Sequence, residues 1–133
     1  MAIRLKPKIF GPVITRFDGQ SEITFAMGED GAALPHPPHD TPVDTLLASV
    51  GYCLVKSIQI VARNDQLEAG PFDVSVHGDK ATDLPGRLQR VRCEISGVGA
   101  WAPDREADVI ARAKAMCTVS NTLNCEVVAS ASR

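Results

Sequence analysis

The run from Leu46 to Ala62 is apolar on nearly every side of a helix, with Lys56 and Gln59 as its only long polar side chains. A helix written this way has no face left for solvent, so other elements must surround it. Its start is explicit. Thr41 can cap free amides, Pro42 suits the first turn, and Asp44 complements the positive end of the helix dipole. The pattern runs to Asn64 or Asp65. A membrane span needs about 20 strongly apolar residues. Asp44 before the run, and Lys56 and Gln59 within it, argue instead for the central helix of a globular core.

The rest of the chain supplies the surroundings. Val13–Arg16 and Glu22–Ala26 flank the turn Phe17–Gln20 and predict an N-terminal β-hairpin. Gly28 to Thr41 holds too many glycines and prolines for a regular element and reads as a surface loop. Phe72–His77 and Leu88–Gly97 alternate apolar and polar residues, which predicts two strands paired antiparallel. Pro103, Asp104 and Glu106 open a second helix, with Val109, Ile110, Ala113, Met116 and Cys117 at helical spacing. A short turn leads to a last strand, Cys125–Ala129. The class is α+β. At 133 residues the whole chain, 1–133, is the size of one domain.

A net charge of -2 gives no general attraction to nucleic acid or to an anionic membrane. Met1–Phe10 has neither the apolar stretch nor the cleavage site of a secretory signal, so a cytoplasmic location is the expectation. The 4 cysteines, at positions 53, 93, 117 and 125, are spaced too widely for a zinc ribbon or a CxxC pair. No metal and no cofactor is expected. His36, His39 and Asp40 have the chemistry of metal ligands, yet in so proline-rich a loop two solvated histidines are the simpler account. Cys93 and Cys125 read as core packing and Trp101 as the anchor of the turn before the second helix.

Cys53 stands one turn after Ser49 and one turn before Lys56, a cation that could favour its thiolate, while burial would oppose it. Taken alone it reads as a packing residue. Its setting changes that. The segment Thr41-Pro42-x-Asp44-x-Leu46-Leu47-Ala48-x-x-Gly51-x-Cys53 is followed much later by Met116-Cys117-Thr118-Val119-Ser120-Asn121-Thr122-Leu123. Together these resemble the two signature segments of the OsmC/Ohr superfamily, and the hairpin, the strand after Gly86-Arg87 and the terminal strand come in the family's order.

The resemblance implies an α+β swapped homodimer, with two buried helices wrapped by antiparallel β-sheets and active sites at the subunit interface. It implies a peroxidase in which Cys53 attacks an organic hydroperoxide and is resolved by Cys117, a dithiol reductant then reopening the disulfide. By the same resemblance Arg16 is the hairpin arginine beside the thiol, and Val43 and Tyr52 line the substrate. One departure matters. Peroxidase members carry glutamate directly after the helix-opening proline, where it holds that arginine; this chain has Val43, and Asp44 points about 100° further round the helix. Thr118 also replaces the family's proline after the second cysteine. Three readings follow: a hydroperoxide reductase, a non-peroxidase relative binding an apolar small molecule at the interface, or a structural dimer with inert thiols. For Arg16, an exposed strand arginine is the competing account.

Overall fold

A computed structural model describes residues 6–132. The reading of Met1–Leu5 lies outside the described residues. In chain order the elements are β1 (Ile9–Phe17), β2 (Ile23–Met27), α1 (Pro42–Asn64), β3 (Phe72–Lys80), β4 (Leu88–Ser96), α2 (Val98–Trp101), α3 (Glu106–Ala115), α4 (Thr118–Thr122) and β5 (Glu126–Ala131). The strands form a 5-stranded sheet in the order β2-β1-β3-β4-β5. The hairpins β1–β2 and β3–β4 and the central pair β1–β3 are antiparallel. β5 lies parallel to β4, with Cys93 opposite Ala129, so the sheet is not antiparallel throughout. The reason is connectivity: β4 and β5 are joined through α2, α3 and α4, a crossover that returns the chain in the same direction.

The hairpin turn is set by Asp18, whose Oδ1 accepts from the backbone amides of Gln20, Ser21 and Glu22 at 2.8, 2.9 and 3.0 Å. Three amide donors hold its carboxyl below the usual range. α1 begins as its sequence predicts. Thr41 is extended and its hydroxyl accepts from the Asp44 amide at 3.1 Å, with Pro42 in the first turn.

α1 lies on one face of the sheet. Leu47, Val50, Leu54, Val55, Ile58 and Val61 meet Val13, Phe17, Val74, Val76, Val91 and Ile95 in one apolar cluster. Each fully buried side chain of this size contributes about 1.5–3 kcal/mol relative to exposure. By length and composition α1 is apolar enough to cross a membrane, but 56% of its most apolar window is buried inside this domain, as in a core helix. Its opposite face carries Tyr52, Lys56 and Ile60, all exposed.

The second helix differs from expectation. α2 ends at Trp101, α3 starts only at Glu106, and it stops at Ala115, before Met116 and Cys117. Met116 is exposed, and Cys117 is extended and forms the cap of α4. The apolar spacing that links Met116 and Cys117 to α3 is therefore coincidental. The chain breaks there because α3's free ends are taken up locally: Asn121 Nδ2 donates to the Ala115 carbonyl at 3.0 Å, and the Asn121 amide donates to Cys117 O. Trp101 packs against Phe72, with ring centroids 5.9 Å apart, as an anchor before α3 should.

Candidate functional site

Cys53 and Cys117 come together. Cys53 is half-buried in the middle of α1, and Cys117 is fully buried at the α3–α4 corner, close enough for the two thiols to interact. α1 places the first through its rigid helical frame. The corner places the second, because the Ser120 hydroxyl donates to the Cys117 carbonyl at 3.2 Å and Asn121 ties the same turn to the end of α3. Burial raises the Cys117 pKa; Ser120 opposes this through its hydroxyl and its amide, and Cys53 adds to the rise. Cys117 is thus held as a thiol. The pair combines a sulfur that solvent can reach with a protonated one behind it.

Ser120 and Asn121 were not singled out from sequence, although both lie inside the second motif. Small polar residues three and four positions after the second cysteine, inside the motif, are the signal that points to them.

Other expected residues lie elsewhere. Arg16 sits on β1 next to Thr15, and Thr15 faces α1 at Gly51, so the alternation of the strand turns Arg16 to the opposite face of the sheet. There its Nε is 3.4 Å from Asp73 Oδ2, with Glu29 at 3.8 Å. Within one chain the structure does not bring Arg16 to Cys53. The surface strand arginine is the account that fits this placement. Lys56 lies over the Tyr52 ring, its ammonium 6.0 Å from the centroid, and Tyr52 meets Phe25 edge-on at 5.5 Å. Tyr52 therefore lies beside Cys53 on the uncovered side of α1.

Val43 is half-buried at the other end of the helix, in a cleft of about 260 Å³ with Phe10, Lys80, Gly86, Arg87 and Leu88. Arg87 and Leu88 also wall a neighbouring cleft of about 210 Å³ against Leu46, Leu123 and Cys125. Tyr52 does not line the cleft that holds Val43. Asp44 is buried beside the helix start.

His36 and His39 are exposed, with ring centroids 5.6 Å apart, and His36 Nδ1 is 3.0 Å from the Pro37 carbonyl. Among the described residues no three His, Cys, Asp or Glu side chains form a group that could hold a metal ion. Cys93 is buried in the core, and Cys125 packs partly buried against it.

A family model described as OsmC-like protein matches residues 36–131. No curated protein matches the chain. Among solved structures, an organic hydroperoxide resistance protein OsmC from Legionella pneumophila is similar with TM-score 0.55 at 18% identity, covering 93% of this chain and 98% of that one. One from Elizabethkingia anophelis gives 0.54 at 16% identity, covering 93% and 96%. An OsmC-like protein from Mycoplasma pneumoniae gives 0.53 at 15% identity, covering 93% and 99%. At these identities the structural likeness is one of fold. The matched family segment contains both cysteine motifs and α1 through β5, and the chain belongs to the OsmC-like family.

Proposed function

We propose that this protein is a thiol-dependent peroxidase that reduces organic hydroperoxides through Cys53 and Cys117, in oxidative-stress defence. The observation that carries the reading is that a half-buried thiol on α1 stands near enough to a fully buried thiol at the α3–α4 corner to raise its pKa. In the reaction, the Cys53 thiolate attacks the outer peroxide oxygen, the O–O bond breaks, and the alkoxide leaves as alcohol with a proton from solvent. Cys53 is then a sulfenic acid. Cys117 attacks its sulfur, water leaves, and a Cys53–Cys117 disulfide remains for a dithiol reductant to reopen.

The functional unit we propose is a cytoplasmic homodimer. Tyr52 and Ile60, at 40% and 37% exposure, lie on the same uncovered face of α1, eight residues apart, and support a second chain packing over Cys53. The apolar surroundings of such an interface would favour organic over inorganic peroxides. No cofactor is needed for the thiol chemistry.

A second reading is motivated by one observation. Val43 stands in an apolar cleft where a carboxylate would be needed to orient an arginine, which fits a relative that binds an apolar small molecule instead of reducing peroxides. One experiment separates the two. The natural chain and Val43→Glu are each given cumene hydroperoxide, and peroxide loss and cysteine state are followed by mass spectrometry. The peroxidase reading expects a rapid, dithiol-reversible Cys53–Cys117 disulfide in the natural chain. Unreacted thiols there, with activity appearing only in Val43→Glu, would overturn the peroxidase reading and point to the binding one.

A further inference from the structure

The uncovered face of α1 carries a cation beside the half-buried thiol. Lys56 lies one helical turn after Cys53, which puts their Cβ atoms about 5–6 Å apart. Viewed down the helix axis, position 56 falls between positions 52 and 53, about 40° from the first and about 60° from the second. A long side chain on a helix leans back over the turn that precedes it. Lys56 does so, its ammonium standing 6.0 Å from the centroid of the Tyr52 ring, and Tyr52 is the chain neighbour of Cys53. Lys56 also lines a cleft of about 460 Å³ with Gln20, Ser21, Gln59, Arg63 and Glu68. Among the described residues no carboxylate, Glu68 included, forms an ion pair with it. Arg63 is two turns further from the thiol, and Arg16 is on the far face of the sheet.

When a thiolate opens a peroxide, negative charge passes from sulfur to the departing oxygen. An alkoxide leaves poorly because an alcohol is a very weak acid, and a donor placed to protonate it as the O–O bond breaks speeds the step by roughly a hundredfold or more. We propose that Lys56 is the general acid of the peroxide step. The proposal rests on the peroxidase reading, and in it Lys56 stands between solvent and the leaving alkoxide. The Cys53 sulfur bonds to the outer, hydroxyl-bearing oxygen, the O–O bond breaks, and its electron pair goes to the alkoxy oxygen. That oxygen takes a proton from Lys56 and leaves as alcohol. Cys53 becomes a sulfenic acid, and Lys56 becomes a neutral amine that regains its proton from solvent. An ammonium is a far stronger acid than an alcohol, so the transfer runs downhill.

A general acid gives a dependence on leaving group that a merely structural lysine does not. The test is the rate constant for oxidation of Cys53, followed by mass spectrometry of quenched samples, in the natural chain, Lys56→Met and Lys56→Gln. The oxidants are cumene hydroperoxide, tert-butyl hydroperoxide and peracetic acid, whose acetate leaves without needing a proton. Both variants should lose about tenfold or more with the two alkyl hydroperoxides and stay within about twofold of the natural chain with peracetic acid. Methionine and glutamine are both good helix formers, the position is exposed, and the peracetic acid rate reports an intact site. An equal loss with all three oxidants would place the effect of Lys56 on the helix or the thiol and overturn the proposal, leaving the peroxidase reading in place. No loss with any oxidant would do the same. If Cys53 of the natural chain reacts with neither alkyl hydroperoxide, the peroxidase reading falls and the proposal falls with it.

Discussion

At the residue scale, α1 approaches the sheet closely at Gly51. A Cβ built there would stand 2.8 Å from Thr15 Oγ1 and 3.2 Å from Val76 Cγ2. Two effects oppose each other in Gly51→Ala. Helix propensity favours alanine by about 1 kcal/mol, and forcing a methyl into a packed core costs about 1–3 kcal/mol. The second should win, because Thr15 and Val76 are both fully buried on the sheet and cannot swing aside. Urea denaturation of Gly51→Ala should show a net loss of up to about 2 kcal/mol, and Thr15→Ala should cost less in that background than in the natural chain. An unchanged midpoint would mean the helix can lift from the sheet. The consequence reaches the site, since Gly51 fixes the turn of α1 that carries Cys53.

At the same scale, glutamate's absence at position 43 and Arg16's placement on the far face belong together. An arginine that finds Asp73 and Glu29 has no need of a carboxylate on α1. The strand reads Val13, Ile14, Thr15, Arg16, Phe17, and its apolar residues do not alternate cleanly, so the direction of Arg16 was not legible from the sequence. Pairing with β3 decides it.

At the scale of elements, α1 and α3 are fastened at one end by charge. Asp65, just past α1, takes a bidentate pair from Arg112 on α3, at 2.6 and 2.9 Å, and also pairs with Arg105. The Arg112 hydrogen bonds, with the charges of Arg112 and Arg105, outweigh the effect of desolvation and hold the Asp65 carboxyl below its ordinary range. A depressed folded-state pKa contributes stability that is present above the unfolded value, about 3.9, and is lost as pH falls through the lower folded value. Asp65→Asn should therefore melt lower than the natural chain at pH 7, with the gap closing below about pH 4. Equal melting temperatures at pH 7 would show that the clamp is too well solvated to matter. Arg92 and Asp79 form a second such pair across β3 and β4, at 2.9–3.3 Å, with the Asp79 carboxyl lowered chiefly by those hydrogen bonds.

The α3–α4 corner is the element that sequence patterning misjudged. Val109, Ile110 and Ala113 are buried as their spacing predicts, but the same spacing extended to Met116 and Cys117 carries the helix too far. Periodicity records which side chains are apolar. It does not record that Asn121 folds back to the Ala115 carbonyl and ends the helix.

At the scale of the whole molecule, one sheet covers one side of α1 and leaves Tyr52, Lys56 and Ile60 on the other. The single chain is thus an open two-layer arrangement with the half-buried Cys53 near the open side. Sedimentation at micromolar concentration should give the mass of two chains, and Ile60→Lys should shift that equilibrium toward one. A monomer throughout would leave Cys53 facing solvent and remove the apolar setting on which the proposed preference for organic peroxides depends.

What the sequence determined by itself was local or carried by motif. The central helix, its Thr41 cap, the two hairpins, the α+β class and the family resemblance all follow from residues near one another in the chain or from two linked segments. What only the tertiary structure decided was long-range: the parallel seating of β5 against β4, the face that Arg16 occupies, and the corner at Cys117. Each depends on which strand or helix lies alongside, and β4, α3 and β5 come together through contacts between residues far apart in the chain. Apolar patterning constrains each element's inward face. The contacts among inward faces are fixed only when the elements pack.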